Sequence, residues 1–358
     1  MIAFEEYIAL LQGLIRIPSF SGEEASACDF LEGWLLEHGA DAVGEQYPLR
    51  REGNNIILEE KGRGDARPLM LLNAHIDTVR PAASYTRDPF SADIEGDTLY
   101  GLGSNDDGGS LVALLAAYLR LLLVERPYRL VWTATSEEEV CGREGIERIL
   151  PSIGPVTLGI IGEPTKMQLA VAERGLMVLD CKVRGRSGHA AREEGVNAIY
   201  GALPAIEWFR DYRFEKVSPW LGPVKMSVTV IKSGTQHNVV PDLCEFVVDV
   251  RSNGMYSNVE VLERIKAHAP CEVAARSTRL SSSHIDEGHP VLQRARALGL
   301  ETFGSPTCSN QTLCPFPTVK IGPGDSARSH TADEFIRLSE IRSGIDTYVE
   351  LLQALELR

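Results

Sequence analysis

The sequence has no C-x-x-C pair, no long apolar run and a deficit of positive charge. Each absence removes a class of protein. The seven cysteines (Cys28, Cys141, Cys181, Cys244, Cys271, Cys308 and Cys314) are odd in number and scattered. That pattern points to reduced thiols in a cytoplasm and away from a disulfide framework or a thiolate metal site. Lysine and arginine total 36 against 50 aspartates and glutamates, a formal charge of -14, which leaves no basic footprint for nucleic acid. The longest apolar stretch, Leu111 to Val124, is interrupted by Arg120 and falls short of the roughly 20 apolar residues that span a bilayer. The opening residues MIAFEEYIALL carry glutamates where a secretory signal carries lysine or arginine. The expected location is therefore cytoplasmic, with neither membrane nor nucleic acid as a partner.

What is present is ordinary globular composition. At 358 residues, 44% hydrophobic and 24% charged, the chain suits two domains of about 100 to 200 residues each. Excess carboxylate suits hard or borderline cations. An anionic substrate would then need a local arginine.

Periodicity divides the chain in two. Phe4, Ile8, Leu11 and Ile15 recur at helical spacing, and Ser21 with Glu24 forms a capping-box signature before a second helix that runs to about Gly39. The apolar runs Ile56–Leu58, Leu69–Leu72, Leu130–Trp132 and Leu158–Ile161 read as strands buried on both faces. A helix from about Ser110 to Val124 separates the second run from the third. This is an α/β layout with a mostly parallel, helix-covered sheet. From about Ala170 the order becomes strand (Leu176–Val183), helix (Asn197–Tyr212), strand (Val224–Ile231), strand (Leu243–Arg251), helix (Asn258–His268) and strand (Cys271–Arg276). That β-α-β-β-α-β order is the ferredoxin-like α+β unit. The first pattern then returns, with a helix near Val291–Leu298, a strand at Val319–Ile321 and a closing helix from Ala332 to Leu355. The expected division is a main domain of residues 1–168 and 281–358 interrupted by an inserted domain, 169–280.

Histidines and carboxylates recur at the ends of the expected strands, where open α/β sheets bind ligands. LLNAHIDT ends an apolar run in His75, with Asp77 two residues on and pointing the same way on an extended chain. Asp77 can then hold His75 in its metal-binding tautomer. LYGLGSNDDGGS crowds glycines around Asp106 and Asp107 before a long helix. VWTATSEEEVCG sets Glu137, Glu138 and Glu139 directly after a buried strand, where they repel one another unless a cation or proton sits among them. IIGEPT ends a strand in Glu163, and ARSHTADEF puts His330 ahead of the last helix. Taken singly, each motif is also compatible with a structural role, such as an aspartate capping a helix or a solvated acidic run. Together they have the nitrogen-and-oxygen character of a hydrolytic zinc site.

In order and content these motifs resemble the zinc aminoacylase and carboxypeptidase family, which includes acetylornithine deacetylases, succinyl-diaminopimelate desuccinylases and bacterial glutamate carboxypeptidases. The likeness spans nearly the whole chain. Within the family it is nearest the acetylornithine-deacetylase-like group of Bacteroidetes-type bacteria, which takes N-acetyl- or N-succinyl-ornithine. The resemblance implies a zinc-exopeptidase-like catalytic domain with an inserted dimerisation (lid) domain. It also implies two divalent metal ions, zinc first, with cobalt or manganese able to use the same ligands. It assigns His75 to one ion and Glu163 to the other, with Asp106 bridging, and Glu139 and His330 completing the pair, one on each ion. Asp77 would orient His75. Glu138 would be the general base, serving a hydroxide held between the ions.

The same likeness makes His189, in VRGRSGHAAR, a hydrogen-bond donor that reaches the opposite subunit of a homodimer. Asn238 and Arg251, in SGTQHNVVPD and FVVDVRSN, would hold the substrate carboxylate, and Gly322 and Gly324, in IGPGDSARSH, would form a substrate loop. Read without the family, His189 is a solvated loop histidine, while Arg251 is as readily a surface arginine and the glycines as readily only a turn. Two positions depart from the family pattern: Gly108 stands where many relatives have lysine, and Glu193 where many have proline. Glu163, where some acetylornithine deacetylases have aspartate, is shared with the desuccinylases. The expected function is N-acyl-ornithine deacylation in arginine biosynthesis. Desuccinylase, dipeptidase or carboxypeptidase action is the alternative within enzymes, and a noncatalytic binding protein on the same fold is the alternative outside them.

Overall fold

The computed structural model describes residues 2–39, 48–60, 66–192 and 194–357. It divides the chain into two compact units. The first comprises 1–171, 285–303 and 309–358, and the second 172–284 with 304–308.

In the first unit the strands Arg129–Thr135, Leu69–His75, Leu158–Ile161 and Thr318–Lys320 lie side by side in that order, all parallel. Antiparallel strands Asn55–Glu59 and Leu49–Glu52 extend the sheet on one side. Every residue of Leu69–His75 and Arg129–Thr135 is buried, because helices cover both faces and parallel strands need that cover. Helix Gly109–Leu121 packs on one face, held in turn by helices Phe4–Ile15 and Leu338–Leu352. On the other, Ile146, Ile149 and Ile153 of helix Ile146–Ile153 pack with Leu69, Leu71, Val131 and Ile161. No helix among the described residues is long and apolar enough to cross a membrane.

The second unit carries the β-α-β-β-α-β order as strand Gly175–Arg184, helix Ala198–Asp211, strands Lys225–Ser233 and Leu243–Ser252, helix Asn258–His268 and strand Glu272–Ala275. The two long central strands, Gly175–Arg184 and Leu243–Ser252, alternate buried and half-buried residues, the period of two expected when one face is covered. Their inward residues Met177, Leu179, Phe246 and Val248 meet Phe209, Val261 and Ile265 from the two helices. Ser257 and Glu260 form a reciprocal capping box at the start of helix Asn258–His268.

Two expected elements differ. Ser21 and Glu24 form no capping box: the second helix begins at Ala25 without a side-chain cap, and the Ser21 hydroxyl donates instead to Asp77 Oδ2, 2.7 Å away. The segment expected as one closing helix from Ala332 is a strand, Phe335–Arg337, followed by a helix, Leu338–Leu352. The strand forms because it pairs antiparallel with Thr98–Tyr100, a distant partner invisible to local spacing.

Candidate metal centre

Parallel strands end on one edge of a sheet, so residues at their C-terminal ends converge. His75 is the last residue of its strand, Glu137 to Glu139 follow Thr135, and Glu163 follows Ile161 by two. The glycine-rich loop before helix Gly109–Leu121 brings Asp106 to the same place. His75 is buried, with Nε2 3.1 Å from Asp106 Oδ1 and 3.9 Å from Glu138 Oε2. Its other nitrogen, Nδ1, faces Asp77: the carbonyl oxygen at 2.9 Å and Oδ1 at 3.5 Å. The buried Asp77 carboxylate accepts the backbone N–H groups of Glu138 at 3.0 Å and Glu139 at 3.1 Å, as well as the Ser21 hydroxyl.

His330 has a left-handed φ of 58°, which turns its ring toward the centre. Its Nε2 lies 3.0 Å from the Glu139 carboxylate and 3.7 Å from Asp106 Oδ2. Two sets of potential ligands result. His75, Glu138 and Glu139 form one set and Asp106, Glu139 and His330 the other, each with ligand atoms within 4.8 Å of one another. Glu139 belongs to both sets and shares one with His330, where the family likeness divides these two residues between the ions. Glu163 is in neither.

Residues 71–354 match the description of Peptidase family M20/M25/M40. The chain belongs to this family. A succinyl-diaminopimelate desuccinylase of Cereibacter sphaeroides is 26% identical over 97% of this chain and 94% of its own. An acetylornithine deacetylase of Klebsiella pneumoniae is 29% identical over 94% of each. A dinuclear metal-binding peptidase of the M20 family from Bacillus subtilis has the same fold, with a TM-score of 0.71 at 18% identity over 98% of this chain and 97% of its own. As an M20 chain the protein is a hydrolase.

The electrostatics of this M20 centre fit cations. Burial pushes the Glu138 carboxyl well above the usual range, and Glu163, Glu139 and Asp77 add to the push against the pull of His75. Glu163 is raised by burial and by Asp106 and Asp107, with Lys320 opposing. Burial also lifts Asp107 to about 7, and Glu334 to about 8 with help from Asp106. Burial pushes Asp106 up too, but the His75 imidazole outweighs it and holds this carboxyl low. The bond to Glu139 lifts His330 to about 9. Crowded carboxylates with imidazoles between them are a donor set for divalent ions, whose charge would relieve the repulsion.

The remaining expected site residues are placed as follows. A Cβ at Gly322 would lie 2.5 Å from the Glu163 carbonyl oxygen and against Ser110 Oγ, so its backbone packs directly on the Glu163 segment. Gly324 has a φ of 88° and no room for a side chain beside Asn105. Gly108 is likewise tight, since a Cβ there would lie 2.5 Å from the Gly103 carbonyl oxygen. In the second unit, exposed His189 lies in strand Gly188–His189, which pairs with Val239–Val240. Asn238 adjoins it: its carbonyl accepts the Ala190 N–H at 3.0 Å. Arg251 holds Asp249 with two bonds of 2.8 and 3.0 Å. Glu193 lies outside the described residues. Ser21, Asp107 and Glu334 join the centre without having been assigned to it from sequence. Only Asp107, doubled with Asp106 in a glycine-rich loop, carried a readable signal.

Proposed function

We propose that the chain hydrolyses the amide of an N-acyl-L-ornithine, acetyl or succinyl, in arginine biosynthesis. Amide hydrolysis is carried by the two interlocked ligand sets that share Glu139, one of which also contains the buried Glu138. The choice of acylated amino acid is supported by the two named relatives, which act on acetylornithine and succinyl-diaminopimelate.

His75, Asp106, Glu139, Glu163 and His330 would hold two divalent ions, zinc by preference. When bound, such ions supply Lewis acidity that makes water acidic enough to ionise near neutral pH and draws charge from an amide carbonyl. Glu138 takes the proton of the attacking water and delivers it to the leaving amine. Asp77 fixes both His75 and the backbone of Glu138 and Glu139. Asn238 and Arg251 bind the substrate carboxylate, for which the bidentate fork of Arg251 is suited; a substrate would compete with Asp249 for it. Gly322 and Gly324 line the approach.

His189 donates to the reacting oxygen in the opposite subunit of a homodimer. Dimerisation through the second unit is supported by exposed Ile199, Tyr200, Leu203, Val230 and Ile231. Strand Lys225–Ser233 also pairs on one side only among the described residues. An open edge beside apolar residues favours a partner copy.

The test is a substrate panel on the zinc-loaded protein: acetylornithine, succinylornithine, succinyl-diaminopimelate and several dipeptides. The highest kcat/KM is expected for an acylornithine. Preference for succinyl-diaminopimelate or a dipeptide would overturn the substrate assignment in favour of desuccinylase, dipeptidase or carboxypeptidase action.

A further inference from the structure

We infer that Glu334 is a positioning residue that sets the place of Asp106 from behind and thereby governs cation binding. Glu334 is 2% exposed. Its Oε1 accepts the backbone N–H groups of Asn105 and Asp106, both at 2.9 Å, and its Oε2 accepts that of Gly103 at 3.1 Å. Its own carbonyl accepts the Gly101 N–H at 2.9 Å. The glycine-rich loop turns at Gly103, with a φ of 76°, and this turn points the N–H groups of Gly103, Asn105 and Asp106 inward at one side chain. Buried N–H groups must be paired, and the two carboxyl oxygens of Glu334 are the acceptors that pair these three.

The consequence reaches the ligands because Asp106 supplies one of those three N–H groups. Its carboxylate spans His75 at 3.1 Å and His330 at 3.7 Å, so a shift of the loop alters both separations. Glu334 also follows His330 by four residues. One segment therefore presents His330 to the centre and clamps the loop that presents Asp106, which couples the two positions mechanically. The neighbouring Asp333 does a different job: it accepts the N–H groups of Thr86 at 2.9 Å and Arg87 at 3.0 Å on the exposed side. It steadies the same segment without touching the loop.

This inference rests on the reading of Asp106 and His330 as cation ligands, and the test separates the two. Cobalt(II) is titrated into the cation-free wild-type protein and its Glu334→Gln, Glu334→Asp and Asp333→Asn variants. Binding is followed by visible absorption. Glu334→Gln keeps the shape but turns an amide donor toward an N–H, and Glu334→Asp keeps the carboxyl but is one methylene too short. Cobalt affinity is expected to fall about 10- to 100-fold in Glu334→Gln, less in Glu334→Asp, with an altered absorption band in both and none of this in Asp333→Asn. Should Glu334→Gln fail to fold, Glu334→Asp carries the comparison. Wild-type affinity and band in the Glu334 variants, or an equal loss in Asp333→Asn, would overturn the inference alone. Failure of the wild type to bind cobalt would overturn the cation reading with it.

Discussion

Three consecutive glutamates of identical chemistry come to differ because the backbone aims each one elsewhere. Glu137 has a left-handed φ of 55° and its carboxylate accepts the Glu144 N–H at 3.1 Å, so it serves the turn. Glu139 meets His330 at 3.0 Å. Glu138 lies 3.9 Å from His75 and is buried, and in the proposed mechanism it is the proton carrier. Glu138→Gln is therefore expected to lower kcat by at least about 100-fold, the usual scale for a positioned general base, with its zinc content unchanged by elemental analysis. Glu139→Gln should lose zinc and turnover together, since it removes the carboxylate common to both candidate sets. Equal zinc loss in the two variants, or normal turnover in Glu138→Gln, would contradict this division of labour.

The loops that follow the strands depend on how closely backbone can approach backbone. Gly322 sits directly on the Glu163 segment, which holds it through the Thr165 and Met167 N–H bonds to the Gly322 carbonyl at 3.2 and 2.9 Å. An added methyl would have to displace Glu163. Gly322→Ala is expected to cost about 1 to 3 kcal/mol, the range for overpacking a tight site, measured by urea unfolding, and to weaken zinc binding. Unchanged stability would show that the loop can yield. The glycine's meaning was not readable from sequence, where a turn accounts for it equally well. The buried strands were readable, because Leu69–Leu72 and Leu158–Ile161 are apolar without alternation and need cover on both faces. The alternating strands of the second unit were readable for the opposite reason. Ser21 misled because a hydroxyl three residues before a glutamate looks like a cap, while a carboxylate 56 residues away competes for it. Phe335–Arg337 hid inside a helical pattern because its partner strand, Thr98–Tyr100, lies more than 230 residues earlier. The metal-type residues were legible as kinds and positions, but not their grouping, since the pairing of Glu139 with His330 depends on a loop turn that no local rule fixes.

At the scale of the whole molecule, a charge of -14 with buried carboxyls at its centre makes cation binding part of folding stability. Glu139 lifts His330 to about 9, against an ordinary histidine value of about 6.5. The stability it lends is complete below about pH 6.5 and lost as pH rises through about 9. Burial holds Asp107 at about 7 and Glu334 at about 8, so the folded chain keeps protons the unfolded chain has released. Their contribution therefore also falls as pH climbs from about 4 toward 8. Both trends have the same sign. Between about pH 5 and 9 the zinc-stripped protein should melt at steadily lower temperature, and zinc should flatten that slope by replacing the lost positive charge; parallel profiles with and without zinc would oppose this. The proposed dimer adds a second consequence. If His189 serves the opposite subunit, His189→Ala and Glu138→Ala chains are each inactive alone, but a mixed dimer contains one complete site. Random exchange makes roughly half the dimers mixed, each with one working site of two, so roughly a quarter of wild-type activity should return on mixing. Action within one chain leaves every site in the mixture short of one group, and activity then stays at the level of the separate variants.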